Sequence, residues 1–228
     1  MSQDCPIHLI LPAYNEAAVI EEVIREIQAS IDVQILLIDD GSTDETAQKA
    51  RAMGVSVLRH SINRGAGAAC QTGIVLARKL GWTQVAFMDA DGQHIPKDLV
   101  GLIRAMKAQQ ADLVIGSRFM KPNKEIPRIR RFYNWVANLL TIAFTTGKYT
   151  DTQSGFRLLN ERAIALINLT QDDFSFCSEM IVLAEEFDLK IVETPIQVRY
   201  TAYATQKGQD LQVGMLTAFN FLWKRWFN

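Results

Sequence analysis

Asp89-Ala90-Asp91-Gly92-Gln93 follows directly on the apolar run Val85-Ala86-Phe87-Met88. A buried strand ending in two carboxylates one residue apart presents hard oxygen donors at the rim of a sheet. Such donors suit Mg²⁺ or Mn²⁺, and an ion held by few protein ligands keeps positions for phosphate oxygens. Asp89 and Asp91 are therefore expected to hold the metal, with Gln93 adding an amide oxygen or orienting a ligand. A cation there would act as a Lewis acid on the charge that develops as a diphosphate leaves. An acidic turn by itself would be an ordinary strand end. Two further polar loops that also follow apolar runs, Leu11–Glu16 and Asp39–Asp44, give it the context of a site.

These two loops carry donor-side chemistry. Tyr14, close behind Pro12, can pack its ring on a base or ribose, Glu16 can accept from ribose hydroxyls, and Asp40 can accept from a base edge. Helix capping by Asn15, Asp39 and Asp44 accounts for some of these polar residues but not for the aromatic among them. Asn63–Cys70 is a glycine-rich helix start containing Arg64 and Gly67. It favours either a bound anion or a close backbone approach. Downstream, Arg118, Lys121, Lys124, Arg128, Arg130 and Arg131 stand against the single acid Glu125. The run is either a solvated loop or a phosphate clamp, for which guanidinium forks are well shaped. The Asp151–Arg157 segment adds a polar cluster with a glycine turn, and its Arg157 joins the acceptor-side cations. Glu179 is either a base or a favourable first-turn acid. His8, His60 and His94 show no ligand spacing.

Short β-branched runs at Ile7–Leu11, Ile35–Ile38, Val55–Leu58, Val85–Met88 and Leu113–Ile115 lack alternation, the signature of strands buried on both faces. Helical patterns lie between them. Val19, Ile20, Val23, Ile24 and Ile27 line one face of the first, Ser42 and Glu45 form a capping box for the second, and Pro96 opens the fourth. This alternation predicts an α/β fold with one doubly wound, mostly parallel sheet and ligands beyond the carboxyl ends of the strands. The second half predicts a helix over Arg130–Thr146, a loop strand at Thr152–Leu159, helices near Glu161–Leu169 and Ser178–Phe187, and strands at Lys190–Glu193 and Gln197–Tyr200 split by Pro195. Without linker composition, residues 1–228 are expected to form a single domain. About 7–117 would bind nucleotide, 118–208 acceptor, and 209–228 would form an amphipathic helix.

Composition narrows the partners. A formal net charge of −1 argues against nucleic acid. Cys5, Cys70 and Cys177 lack CxxC spacing and suit reduced cytosolic thiols. No signal-peptide core or uninterrupted membrane span is present. Leu211–Phe227 mixes Phe219, Phe221, Trp223, Trp226 and Phe227 with Lys224 and Arg225, as either an interfacial membrane helix or a helix docked on the body.

With these residues in hand, the chain resembles the family 2 glycosyltransferases. The resemblance rests on Leu11–Glu16, Asp39–Asp44, Asn63–Ala68, Met88–His94, Gly116-Ser117-Arg118 and Asp151–Arg157. Within that family it is most similar to the polyprenyl-phosphate sugar synthases, such as dolichyl-phosphate mannose synthase. The resemblance implies a nucleotide-binding glycosyltransferase A-type fold and donor contacts at Pro12, Tyr14, Glu16 and Asp40. It also implies metal and diphosphate at Asp89, Asp91 and Gln93, acceptor phosphate at Arg118 and Arg131, and closure by Arg199 and Lys207. Leu222-Trp223-Lys224-Arg225-Trp226 keeps only the final Arg-Trp of the Gln-x-x-Arg-Trp of processive synthases, which disfavours a polymerising enzyme. A lipid phosphate is already anionic and needs cations rather than a strong base, whereas a sugar hydroxyl must lose a proton. The expectation is an inverting, metal-dependent transfer of a hexose from a nucleotide-diphosphate sugar to a polyprenyl phosphate. It would act at the cytoplasmic membrane face, peripherally or with a membrane partner protein. Transfer to a hydroxyl of a glycolipid, glycan or protein is the alternative.

Overall fold

The computed structural model describes residues 6–121, 126, 128–142 and 145–199. Its strands and helices follow in the order β1 (His8–Ala13), α1 (Ile20–Ser30), β2 (Gln34–Asp39), α2 (Thr46–Ala52), β3 (Ser56–Arg59), α3 (Ala66–Leu80), β4 (Gln84–Phe87), α4 (Leu99–Gln109), β5 (Leu113–Ser117), α5 (Arg128–Ile142), β6 (Arg157–Asn160), α6 (Glu161–Leu166), α7 (Phe176–Glu186) and β7 (Ile191–Pro195). Among the described residues seven strands form one sheet in the order β3-β2-β1-β4-β6-β5-β7. All neighbours are parallel except β6, which runs antiparallel to both β4 and β5.

The apolar runs of β1, β2, β4 and β5 form strands because both faces are covered, while β3 is a half-buried edge strand. Leu9 and Leu11 pack with α1 and α4 residues such as Ile24 and Leu102. Ile10 points the other way, into a layer containing Ile74 of α3, Ile164 of α6 and Met180 of α7. Burial of such side chains contributes roughly 1.5–3 kcal/mol each relative to exposure. Cys70 and Cys177 are buried free thiols in the second layer, and burial pushes Cys177 to about 11.

The antiparallel strand has a positional consequence. Arg157, first residue of β6, pairs with Phe87 of β4 and Ile115 of β5. The segment entering β6 therefore reaches the edge where β4 and β5 end, between the metal loop and Arg118. Only Arg157–Asn160 is strand, so the polar residues Thr152–Ser154 form a loop rather than the start of the predicted strand.

Helix starts differ from expectation. The proposed capping box is absent: α2 begins at Thr46, and Glu45 makes no side-chain cap. Asn15 does not cap α1, which starts five residues later; it takes a left-handed φ of 55° and serves a neighbouring loop. Pro96 does open a helical turn, a single 3₁₀ turn leading into α4. The predicted strand at Gln197–Tyr200 reduces to a bridge from Val198 to His94. No helix among the described residues is long and apolar enough to cross a membrane. Lys207 and the expected C-terminal helix lie outside the described residues.

Candidate active site

The first two polar loops are stitched together. Asn15 N donates to Ser42 Oγ at 2.9 Å, Glu16 N to Thr46 Oγ1 at 2.7 Å, and Thr43 N to Asn15 Oδ1 at 2.8 Å. Because β1 and β2 are parallel neighbours, Pro12 and Ala13 stand beside Ile38 and Asp39. Tyr14 is 40% exposed on the rim and Glu16 is buried. The Asn15, Ser42 and Thr46 side chains thus satisfy backbone donors about thirty residues away, which is why capping fails for Asn15 and Ser42, whereas Asp39 and Asp44 stay local and accept from Ser42 N and Thr46 N.

Asp40 is almost fully buried and organises the glycine-rich loop. Its carboxylate accepts from Arg64 N at 3.0 Å, Gly65 N at 2.7 Å and His60 Nδ1 at 2.7 Å. His60 reaches on to Thr72 Oγ1 on α3 at 2.9 Å. His60 has no motif spacing and escapes a sequence reading. Its one signal is its place just after β3.

The metal loop leaves β4 beside these loops. Asp91 Oδ1 accepts from Gln93 N at 2.9 Å, closing a tight acidic turn. Asp89 keeps its side chain 43% exposed while His94 Nε2 approaches its Oδ2 at 3.0 Å. His94 is buried, with its ring tilted against Phe156 at 5.1 Å between centroids. Desolvation by the surrounding protein pushes the Asp89 carboxyl upward. The hydrogen bond and charge of His94, with the charges of Arg118 and Arg157, outweigh that and hold it below the usual carboxylate range. Gly155 is the floor of this position: a Cβ there would stand 2.6 Å from Asp89 Oδ1. An anionic, solvent-open carboxylate beside a second one fits a hard divalent cation. Among the described residues no three His, Cys, Asp or Glu side chains converge on one point. The remaining positions would fall to the Gln93 amide, phosphate oxygens and water.

Arg118 follows β5 on the other side of β6. Its Nε and Nη2 form a fork on Asp151, at 2.7 Å to Oδ2 and 2.8 Å to Oδ1, while its own N–H also reaches Oδ2. Asp151 is completely buried and is held in turn by Glu193 of β7, which accepts from Asp151 N and Thr150 N. Desolvation raises the Glu193 carboxyl above its ordinary value, partly offset by these bonds. Arg118 is thus an oriented cation. Asp151, Glu193 and His94 are positioning residues; the sequence marked Asp151 and His94 within motifs without giving either a role, and gave no sign of Glu193.

Four expected roles are corrected by the packing. Glu179 is buried and its carboxylate accepts from Thr170 N at 2.9 Å, Gln171 N at 3.0 Å and the Thr170 hydroxyl, so it anchors a loop instead of standing ready as a base. That loop places the Asp172 carbonyl on Gly67 N at 2.8 Å. Of the two expectations for the start of α3 the close backbone approach is the one met and the anion is not, since a Cβ at Gly67 would run into the Gln171 carbonyl. Arg157 has no exposed surface. It donates to the Ser154 and Thr152 carbonyls, each at 2.9 Å, and supports Asp89 from beneath instead of meeting an acceptor. The Arg199 guanidinium pairs with Glu26 on α1, while its N–H donates to Gln93 O at 2.8 Å. It braces the metal loop through its backbone. Arg64 lies 3.6 Å from Asp172 at the surface. Exposed Arg131 donates to Ile126 O at 3.2 Å near the start of α5.

Comparisons with known proteins agree with this architecture. Residues 8–166 match the model of glycosyl transferase family 2. The chain is 31% identical to a UDP-N-acetylglucosamine–dolichyl-phosphate N-acetylglucosaminyltransferase of Methanococcus voltae, over 95% of this chain and 94% of the relative. It is 29% identical to an undecaprenyl-phosphate mannosyltransferase of Micrococcus luteus, over 82% and 81%. The fold is shared with glucosyl-3-phosphoglycerate synthase of Mycobacterium tuberculosis, solved with Mn²⁺, UDP and glucosyl-3-phosphoglycerate. That match has a TM-score of 0.70 at 20% identity and covers 96% of this chain and 80% of the other. The expected α/β glycosyltransferase A-type architecture is thereby met, and this chain belongs to glycosyl transferase family 2.

Proposed function

We propose that this glycosyltransferase moves a hexose from a nucleotide-diphosphate sugar to a polyprenyl phosphate at a membrane surface. The observation that carries the reading is the pairing of two sites across β6. Asp89 is held anionic at the end of β4, and Arg118 is locked by buried Asp151 at the end of β5. Both similar sugar transferases compared above use a polyprenyl-type phosphate by their descriptions, which supports the same acceptor class here.

The chain's residues divide the work. Tyr14 and Glu16 would receive the nucleoside, over a floor set by Asp40. Asp89, Asp91 and Gln93 would hold a divalent cation, which when bound supplies charge neutralisation to the departing diphosphate. Arg118, with Arg131 from α5, would hold the acceptor phosphate. One phosphate oxygen forms a bond to the anomeric carbon as that carbon's bond to the diphosphate oxygen breaks. The electron pair leaves with the nucleoside diphosphate. Attack from the face opposite the leaving group inverts the centre. No proton has to be removed, in keeping with the commitment of Glu179 to a loop.

Radiolabelled nucleotide sugars incubated with polyprenyl phosphate, and separately with glycolipid hydroxyl acceptors, test the reading. Label is expected in an acid-labile polyprenyl-phosphate sugar. Label only in hydroxyl-linked product would refute the acceptor assignment.

A further inference from the structure

Helix α5 is amphipathic the wrong way round for a helix packed on a water-soluble body. Among its described side chains the inner face joins the small Ala137 to polar groups: Asn138 donates to Thr150 O at 2.6 Å and accepts from Thr152 N at 2.8 Å, while Thr141 bonds to Ser178 of α7 at 2.8 Å. Its outer face carries Phe132, Trp135 and Leu139, which are 55%, 59% and 54% exposed. Spacings of three, four and seven residues put these three on one narrow stripe. Phe132 and Trp135 stack with ring centroids 6.3 Å apart. An amphipathic surface helix ordinarily turns its apolar stripe inward.

We propose that this stripe of α5 is the membrane-docking face of the protein and that its partner is an anionic lipid surface. The helix carries Arg128, Arg130 and Arg131 and no acid. Basic residues joined to Trp, Phe and Leu are the composition of a helix lying in the headgroup layer. Charge argues against the two other occupants. Residues 200–228 contain Lys207, Lys224 and Arg225 against Asp210, a net charge of +2 that matches the sign of the helix and does not complement it. A second copy would set three arginines against three. Placement agrees with the lipid, since the same helix that shows the stripe outward grips, through Asn138, the loop whose Asp151 aims Arg118. A bilayer on this face brings headgroup-level phosphate to the end of the site that holds the proposed acceptor. The inference deepens the proposed function and rests on its lipid acceptor, but its binding test is separable from it.

The test is flotation of the full chain with phosphatidylcholine vesicles, with and without phosphatidylglycerol, for wild type and for Phe132→Ser/Trp135→Ser/Leu139→Ser. The wild type is expected to float with the anionic vesicles and the variant to lose about tenfold in partitioning. Its melting temperature should stay unchanged, because the removed groups are not in the core. Trp135→Leu, which keeps the stripe apolar, should retain binding. Transfer to polyprenyl phosphate embedded in vesicles should fall with partitioning, while transfer to a short, water-soluble polyprenyl phosphate stays within about twofold. Unchanged flotation of the triple variant would overturn the proposal, as would a wild-type dimer that the variant converts to monomer. Equal loss with the short acceptor would also overturn it, by making the stripe part of the cleft. If the wild type transfers to no acceptor phosphate yet floats through this stripe, the catalytic reading fails and the docking face stands.

Discussion

His94 Nε2 lies 3.0 Å from Asp89 Oδ2, and Phe156 of the neighbouring strand entrance sets the tilt of its ring. Outer residues that orient a metal-bound carboxylate typically matter by about 10–100-fold in affinity or activity. His94→Phe is therefore expected to raise the Mn²⁺ concentration for half-maximal activity by about tenfold. Calorimetry should show the same weakening in Mn²⁺ binding with nucleoside diphosphate, and His94→Gln should recover part of it. An unchanged Mn²⁺ requirement would remove His94 from the site.

Gly155 makes a companion case from sterics. Its missing Cβ is what lets Asp89 occupy its place. Gly155→Ala should impair Mn²⁺ binding while lowering stability by only about 1–3 kcal/mol, the usual cost of overpacking. Full activity in a well-folded Gly155→Ala protein would contradict the close packing.

Asp151 can be separated from the metal. Asp151→Asn leaves Arg118 without the charge that orients it, and breaking such a buried pair costs about 3 kcal/mol. The KM for acceptor should rise more than the KM for donor. Equal changes in both would argue that the Arg118 fork is purely structural.

For Glu179, anchor and base predict different measurements. As an anchor, Glu179→Gln should lower stability by about 1–3 kcal/mol through weakened bonds to Thr170 and Gln171. The shape of the kcat pH profile should stay the same. Loss of its acidic limb with unaltered stability would restore the base.

Glu185 supplies a pH signature away from the site. Burial pushes its carboxyl up, but bonds from Thr146 N, the Tyr149 hydroxyl and Gly147 N prevail and hold it below the ordinary value. A depressed folded-state pKa adds stability that is complete above the unfolded value and is lost as pH falls through the folded one. Denaturant melts of wild type and Glu185→Gln should therefore differ near neutrality and converge only in acid, once the pH has fallen below the depressed folded-state value. A gap that persists in acid would rule out this linkage.

Strands β1, β2, β4 and β5 were legible because burial on both faces writes itself as continuous apolar runs, whereas β3 is an edge strand that is only half-buried at Val57 and Leu58 and shows in its β-branched run. The acidic pair Asp89 and Asp91 was legible because it ends such a run. The place of β6 was not. Its pairing with β4 and β5 depends on where the chain returns after α5, and its entrance is polar because it floors the site. Capping at Ser42 and Asn15 was misjudged since their partners lie on each other's loops. Glu179 and Gly67 carried local signals of catalysis and anion binding that a loop between α6 and α7 answers instead. His60 and His94 were silent because each serves a single carboxylate, which leaves no spacing to detect.

The most direct test is anomalous scattering from crystals soaked with Mn²⁺ together with UDP or GDP. The account predicts one manganese peak between the Asp89 and Asp91 carboxylates, touching the diphosphate, and its loss in Asp91→Ala crystals. A manganese and diphosphate bound together at any other edge of the sheet would contradict it.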